Sequence, residues 1–497
     1  MRIDCQKIPW IEDPFSFYRA FKDATPSVLL ESARTTPRTG RYSIVAKDPF
    51  LILRYEQGGL FLEDPCSGKK GTSGKNPFVF LKHLLEKYAS PASPAGRPTR
   101  EGPPLPPFAT GAIGFVGYEC KDLLELRAAG RVAKPRILPD MYFLFFDRCL
   151  VWDHEAKDLF LCVYQHARTK KFPLRAFQQD IERARQVQKK FAERKKTFIP
   201  QRPMRLECSF NEREFMQAVT GVQKYIRHGE IFQANLAQRF SFPIEKEPDQ
   251  IYARLREINP SPFFGVLDAK DFQIVSGSPE RLLKLEGRTL ETRPIAGTRA
   301  RGKNRREDRR LALDLLLSGK ERAEHIMLVD LERNDLGRVA EYGSVTVDEW
   351  MALEDYSHVK HIVSNVRGVL REGLGPVDAL RAFFPGGTIT GVPKIRCMQI
   401  IEELEPVVRG PYTGSLGYFS FTGNMDFNIL IRSLAIRDHR AFLHVGAGIV
   451  ADSEPKKEYH ETLYKAEAVL SAVFGEKQVR SFFRRCGLPV RQAGIAA

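Results

Sequence analysis

The chain has 497 residues, a formal net charge of +16 and 43% hydrophobic residues, enough for one large core or a few ordinary domains. It holds no apolar run of about 18 residues to span a membrane. Its N-terminus, MRIDCQKIPWIEDPF, lacks the basic and apolar segments of a signal peptide, so a cytoplasmic globular protein is expected. The eight cysteines, Cys5, Cys66, Cys120, Cys149, Cys162, Cys208, Cys397 and Cys486, form no CxxC pair or zinc-finger spacing and read as reduced core residues. The basic balance raises the question of nucleic acid. The densest basic run, 299–310, is broken by Glu307 and Asp308 and carries no interleaved aromatics, so no nucleic-acid partner is expected. A basic field equally draws in a small dianion.

Residues 15–22 open the chain as a helix-like segment, and strand-like runs follow at 27–33, 41–46 and 50–64, the last broken into a hairpin by Gly58 and Gly59. Residues 90–107 are rich in Pro and Gly and read as a linker. Strands are predicted at 111–119 and 141–154, and a charged helix at 176–196. From about 205 the pattern changes. A helix over 212–228 leads into the strand candidate IFQANLAQRFSF, then a helix over 250–258 and the turn NPSPFFGVLD. The late strands LGYFSFTG, FNILIRSLAIRD and RAFLHVGAGIV are joined by short turns. Such hairpin linkage favours an antiparallel α+β arrangement over a parallel doubly wound sheet. No phosphate-loop motif and no repeat is present. The tail after about 476 is expected to fray.

The stretch GAGIVADSEPKKEYHETLYK, 446–465, has the most chemistry in it. Gly446 and Gly448 stand where a strand should end and let backbone approach a ligand. Asp452 or Ser453 can cap a helix with Pro455 in its first turn. On that helix Glu458, Glu461 and Lys465 share one face. A second acidic helix carries Glu321 and Glu324 one turn apart. Each face taken singly is also what a solvated helix shows, but two such helices meeting could hold Mg²⁺, which needs few protein carboxylates. FFPGGTITGVPK carries Thr388 in a loop that can offer N–H groups and hydroxyls to a carboxylate. Glu280 precedes an apolar strand, where burial could raise its pKa and make it a proton donor. Thr298 follows a tight turn; His358 and His361 lie in YSHVKHIVSNV, and a lone His is usually structural. Arg432, on the apolar run FNILIRS, calls for a polar partner such as a substrate carboxylate.

These segments resemble the chorismate-utilising enzymes: anthranilate synthase large subunits, aminodeoxychorismate synthase component I, and the isochorismate and salicylate synthases. The motifs are SGSPE, TRPIAGTR, ERAEHIMLVDLERNDLGRV, YSHVKHIVSNV, FPGGTITGVPK, RGPYTGSLGY and GAGIVADSEPKKEYHET, in the family's order over about 205–475. Residues 1–200, with LLESA, GRYSIVA and GAIGFVGYE, are similar to the N-terminal region of the ammonia-using branches. The resemblance implies two large antiparallel sheets packed as a sandwich, helices outside and the site between. It divides the chain into an N-terminal region 1–200, a catalytic region 205–475 and a basic tail 476–497.

The resemblance also implies roles. Glu324 and Glu461 would bind Mg²⁺, with Glu321 and Glu458 around it, and the metal would hold the ring carboxylate of chorismate. Arg432 and Tyr412 would bind carboxylates, helped by Gly446, Gly448, Thr298, Thr388 and Lys465. Glu280 would protonate the departing 4-hydroxyl. Leu30, Glu31 and Ser32, with Arg41, match the family's tryptophan-site motif. Gln233 stands where the water-using branches carry an activating lysine; an amide cannot act as a base, so ammonia is the expected nucleophile.

Two aminations then compete. Ala296 replaces the lysine of the well-known aminodeoxychorismate synthases, which suits anthranilate synthase; His361 fits its pyruvate-releasing base, but the position is His in other branches too. NPSPFF in place of NPSPYM, and the segments around Leu138, Gly414 and Asn76, suit the aminodeoxychorismate branch, which is the expected one. No glutaminase region is recognisable, so ammonia is expected from a separate glutamine amidotransferase subunit in a heterodimer. A reading from another class, a non-catalytic basic binding protein, predicts salt-dependent nucleic-acid binding and no turnover.

Overall fold

A computed structural model of the chain describes residues 2–32, 40–65, 67–90, 105–125, 134–166, 174–192, 203–302, 304–355 and 359–488. Two antiparallel sheets of 12 strands each are formed among these residues. Strand alternation assigns side chains to layers. In Tyr42–Lys47, Ile44 and Ala46 enter a core between the sheets, where Phe115, Phe143 and Ile274 also lie. Val45, on the opposite face, joins Leu443, Val445 and Leu463 in a second core beneath the outer helices. The α+β sandwich expected from the motifs is the fold observed.

Both sheets draw strands from either side of residue 200. In the first, Ser27–Glu31 pairs with Phe263–Asp268, Leu30 lying opposite Gly265. In the second, Gly111–Val116 pairs with Ser415–Ser420. The chain also passes from one sheet to the other at two neighbouring places. Phe272–Ser278 of the first sheet is followed by Arg281–Glu286 of the second, and Met425–Asn428 of the second by Ser433–Arg437 of the first. The two crossings are tied together by Gly277 N–H to Arg432 O at 3.2 Å and Ile429 N–H to Glu280 O at 3.0 Å.

Several expectations are corrected. FNILIRSLAIRD is not one strand but two, in different sheets; Arg432 lies in the crossing with φ 52, and its apolar neighbours disguised the break. The tail does not fray at 476: Glu476–Arg485 is a helix whose Val479 and Phe483, one turn apart, enter the second core. Cys5 and Cys162 are joined in a disulfide, because neighbouring antiparallel strands bring positions 157 apart in sequence directly opposite each other. The C-terminal acidic helix, Pro455–Phe474, has Glu454 at its N-cap position rather than Asp452 or Ser453, with no side-chain capping hydrogen bond. Most of the 90–107 linker and all of His358 lie outside the described residues. Among the described residues no helix is long and apolar enough to cross a membrane.

Candidate active site

Glu280 and Arg432 occupy the two sheet crossings, so folding alone puts an acid within reach of a fixed positive charge. Burial raises the Glu280 carboxyl to about 7, against the hydrogen bond from Thr388 and the charges of Arg432 and Lys465. Thr388 Oγ1 donates to Glu280 Oε1 at 2.9 Å, from the single 3₁₀ turn Gly387–Ile389. A carboxyl raised this far by burial keeps a large share of its proton near neutral pH.

The strand Arg440–Ile449 forms the floor. Ala441, Leu443, Val445, Ala447 and Ile449 face the helices, so His444, Gly446 and Gly448 face the other way. The partner strand Gln233–Pro243 buries Ala234 and Leu236 against the same helices, which turns Gln233 and Asn235 toward Gly446 and Gly448. The glycines leave room for these side chains. A Cβ on Gly446 would collide with Asn235 Oδ1 and lie 2.7 Å from the Tyr412 hydroxyl, and one on Gly448 would lie 2.5 Å from Gln233 Nε2. Tyr412 is buried, stacked on His444 with ring centroids 5.3 Å apart.

Two acidic helices border this floor. Gly319–Gly337, capped by Ser318, carries Glu321 and Glu324, and Pro455–Phe474 carries Glu458, Glu461 and Lys465. Burial raises the pKa of Glu324, and Glu321 and Glu461 raise it further. Burial likewise raises Glu458, with Glu461 adding to it. The charge of Glu461 on one helix therefore reaches Glu324 on the other. Lys465 Nζ lies 2.7 Å from Glu461 and donates to Gly446 O at 3.0 Å; Arg299 lies 3.0 Å from Glu321. Among the described residues no three acidic, His or Cys side chains are gathered into a ready-made metal cage. Mg²⁺ does not need one: one or two carboxylates, waters and an anionic substrate complete its octahedron. The mutually repelling pair Glu324 and Glu461 fits that donor set.

His361 is buried, its Nδ1 3.2 Å from Gly297 O. Burial and the Arg432 charge lower it to about 4, so the ring is neutral at pH 7. Thr298 is opposite His361 in the strand pairing of Ile295–Ala300 with Val359–Val369. Residues not singled out from sequence also border the site. Asn235 is one; its only signal was being polar two positions after Gln233 in a strand. Glu332 is another, buried behind Glu280 and raised to about 8 by burial and Asp335. Arg409 is a third, fully buried and paired with Glu405 at 2.6 Å, with Nη2 donating to Asn235 O at 2.7 Å.

Leu30, Glu31, Ser32 and Arg41 are not at this site. They line a separate cavity of about 580 Å³, with Ile44, Pro262, Phe263, Leu416 and Asn428. Glu31 there accepts from Tyr252 Oη at 2.6 Å and pairs with Arg256 at 2.7 Å. Arg41 pairs with Asp153 at 2.7 Å.

The first site gathers a buried carboxyl on Glu280, the charges of Arg432 and Lys465 and the acids of two helices. The chain belongs to the chorismate binding enzyme family, whose profile matches residues 57–471, and it is an enzyme acting on chorismate. It is 42% identical over 476 residues to aminodeoxychorismate synthase component 1 of Bacillus subtilis (strain 168), covering 94% of this chain and 96% of that protein. It is 40% identical over 481 residues to anthranilate synthase component 1 of Aquifex aeolicus (strain VF5), covering 93% and 92%. The crystal structure of anthranilate synthase component I from Streptococcus pneumoniae TIGR4 superposes with a TM-score of 0.72 at 34% identity, over 88% of this chain and 93% of that one.

Proposed function

We propose that the chain aminates chorismate at carbon 4, as aminodeoxychorismate synthase component I, giving 4-amino-4-deoxychorismate for 4-aminobenzoate and folate synthesis in the cytoplasm. What carries amination is Gln233: the side chain over the floor is an amide, unable to deprotonate water. The ammonia-derived C–N bond forms overall as the C4–O bond breaks. Glu280 gives its proton to the departing oxygen, which leaves as water, and the new ammonium group releases a proton. Arg432, Tyr412, Thr298, Thr388, Lys465 and the backbone at Gly446 and Gly448 hold the carboxylates. Mg²⁺, when bound by Glu324 and Glu461 with Glu321 and Glu458 around it, would neutralise the ring carboxylate. The branch rests on the sequence segments around Asn259 and Leu138, since identities of 42% and 40% to the two kinds of relative do not separate them.

A specific observation favours a second reading. Ala296, buried in its strand, offers no lysine to attack carbon 2, and neutral His361 lies in the paired strand; both suit anthranilate synthase, which would release anthranilate and pyruvate. Supplying chorismate, Mg²⁺ and ammonium and identifying the product tests both. Anthranilate fluorescence without an added lyase sinks the first reading; 4-aminobenzoate appearing only with an aminodeoxychorismate lyase sinks the second.

Ammonia would come from a separate glutamine amidotransferase subunit. Phe232, bonded to Gln233 and 70% exposed, stands on the rim of an open groove of about 820 Å³ lined by Ile326, Met327, Leu331, Pro393 and Ile395. An exposed groove of apolar residues mixed with Asp330, Asn334, Arg338 and Lys394, one residue from Gln233, suits that partner. The second cavity, lined by Leu30, Ile44, Phe263 and Leu416 together with Glu31 and Asn428, suits an indole amino acid such as tryptophan.

A further inference from the structure

Arg409 is a buried cation with nothing left to offer a ligand. Its five N–H groups are all used: Nε donates to Glu405 Oε2 at 2.9 Å, Nη1 to Ile389 O at 3.0 Å and Thr413 Oγ1 at 3.2 Å, and Nη2 to Glu405 Oε1 at 2.6 Å and Asn235 O at 2.7 Å. A substrate carboxylate would find no free donor here. A buried ion pair is also weak ground for stability, since an apolar pair of similar volume often does as well. What the planar fork supplies is geometry. Ile389 O ends the 3₁₀ turn that carries Thr388, and the next carbonyl, Thr390 O, accepts from Asn235 N–H at 3.0 Å. Asn235 O returns to the same guanidinium. Glu405, which follows the helix Lys394–Leu404, also accepts from Ala237 N–H at 2.9 Å, so the floor strand is held at two points. Thr413, with φ 58, donates its own hydroxyl to Tyr412 O at 2.6 Å, and the Tyr412 ring lies 5.7 Å from the guanidinium. Glu119 in turn fixes the backbone, accepting from the N–H groups of Arg409 and Gly410 at 2.9 and 2.8 Å.

We propose that Arg409 is a positioning residue of the reaction: its guanidinium, set by Glu405, locks the Thr388 turn to the floor strand and so seats the Thr388 hydroxyl on Glu280 Oε1. Arg409 has no donor for the substrate or for the acid. It acts through Ile389, the neighbour of Thr388. The hydrogen bond it guards lowers the Glu280 carboxyl against the burial that raises it, so losing that bond makes the acid hold its proton to higher pH. The other charges facing Glu280 are Arg432 from the second crossing, Lys465 from the C-terminal acidic helix and Glu332 from the helix Gly319–Gly337. Arg409, with every N–H already engaged, bonds to none of them. The inference rests on Glu280 being the proton donor.

The test is the pH profile of kcat/KM for chorismate in the full chain, with Mg²⁺ and constant free ammonia. Arg409→Lys keeps the charge but has a single nitrogen, which cannot serve Ile389, Asn235 and both Glu405 oxygens together. It is expected to lower kcat about tenfold or more and to move the descending limb up by about half a unit to one unit, the worth of one hydrogen bond to a carboxylate. Thr388→Val is expected to move the limb equally, and the double variant no further than either alone. Should the Lys variant not fold, judged by its thermal transition, Arg409→Met with Glu405→Leu removes both charges together and takes its place. Where turnover falls below detection, the carboxyl carbon resonance that Glu280→Gln removes gives the same midpoint. A limb that stays in place in a folded Arg409 variant overturns the inference, as does a double variant whose shift is the sum of the two. An unmutated chain with no descending limb above about 7 is a different failure, that of Glu280 as the donor.

Discussion

With its carboxyl buried and raised to about 7, Glu280 still holds its proton where an ordinary carboxylate has lost it. The acid form is the working one, so with free ammonia held constant kcat/KM for chorismate should fall about tenfold per pH unit above about 7. Glu280→Gln should keep chorismate binding and lose at least about 10²-fold in kcat; normal turnover would remove the residue from the chemistry. Glu332 has a different consequence. The single hydroxyl proton of Thr292 has two acceptors at 3.0 Å, Leu282 O and Glu332 Oε2, and a proton on Glu332 satisfies both. Asp335 raises its pKa further and Lys394 lowers it, while Glu280 adds a like charge. A folded pKa above the ordinary carboxylate value means stability that is full at low pH and lost as pH rises through about 8. Glu332→Gln should therefore flatten the fall of the unfolding midpoint between about pH 4.5 and 8. Glu280 was legible because a motif and an apolar strand flank it. Glu332 and Asn235 were not, because their roles come from burial and from neighbours distant in sequence.

The two acidic helices act as a pair. Their sequences showed acids at helical spacing, but whether the faces met could be read only from packing, where the charge of Glu461 helps raise the Glu324 carboxyl. Glu461→Gln, which removes an anionic ligand and frees Lys465, should abolish Mg²⁺-dependent turnover without lowering the thermal midpoint; undiminished activity would refute the metal role. The floor strand offers a steric counterpart. Gly446→Ala places a methyl against Asn235 Oδ1 and 2.7 Å from the Tyr412 hydroxyl, and should cost about 1–3 kcal/mol of stability along with most activity, measured by thermal melt and ammonium-dependent turnover. The break in FNILIRSLAIRD escaped sequence reading for a physical reason. Both halves are apolar, and the turn is made by Arg432 in a left-handed conformation that side-chain propensities do not announce. The helix 476–485 was missed because its net composition is polar, although Val479 and Phe483 at one-turn spacing bury its inner edge.

For the whole molecule, the groove beside Phe232 separates two ammonia supplies. Phe232→Ser combined with Ile395→Asp should sharply lower glutamine-dependent turnover with the amidotransferase partner and leave ammonium-dependent turnover near its original value; equal loss in both assays would move the docking surface elsewhere. The α+β class was readable from hairpin-linked apolar runs, since strand period and turn chemistry are local. The order of strands within each sheet was not, because pairings such as Leu30 with Gly265 or Gly111 with Ser420 depend on contacts hundreds of residues apart. That shared construction bears on how the chain is made. On a ribosome Ser27–Glu31 emerges long before Phe263–Asp268, and the first sheet stays open until Arg440–Ile449 follows. The nascent chain must therefore carry unpaired strand edges through most of its synthesis, a window in which chaperones, translation pauses and crowding by sister chains act on it more strongly than they do on the finished enzyme.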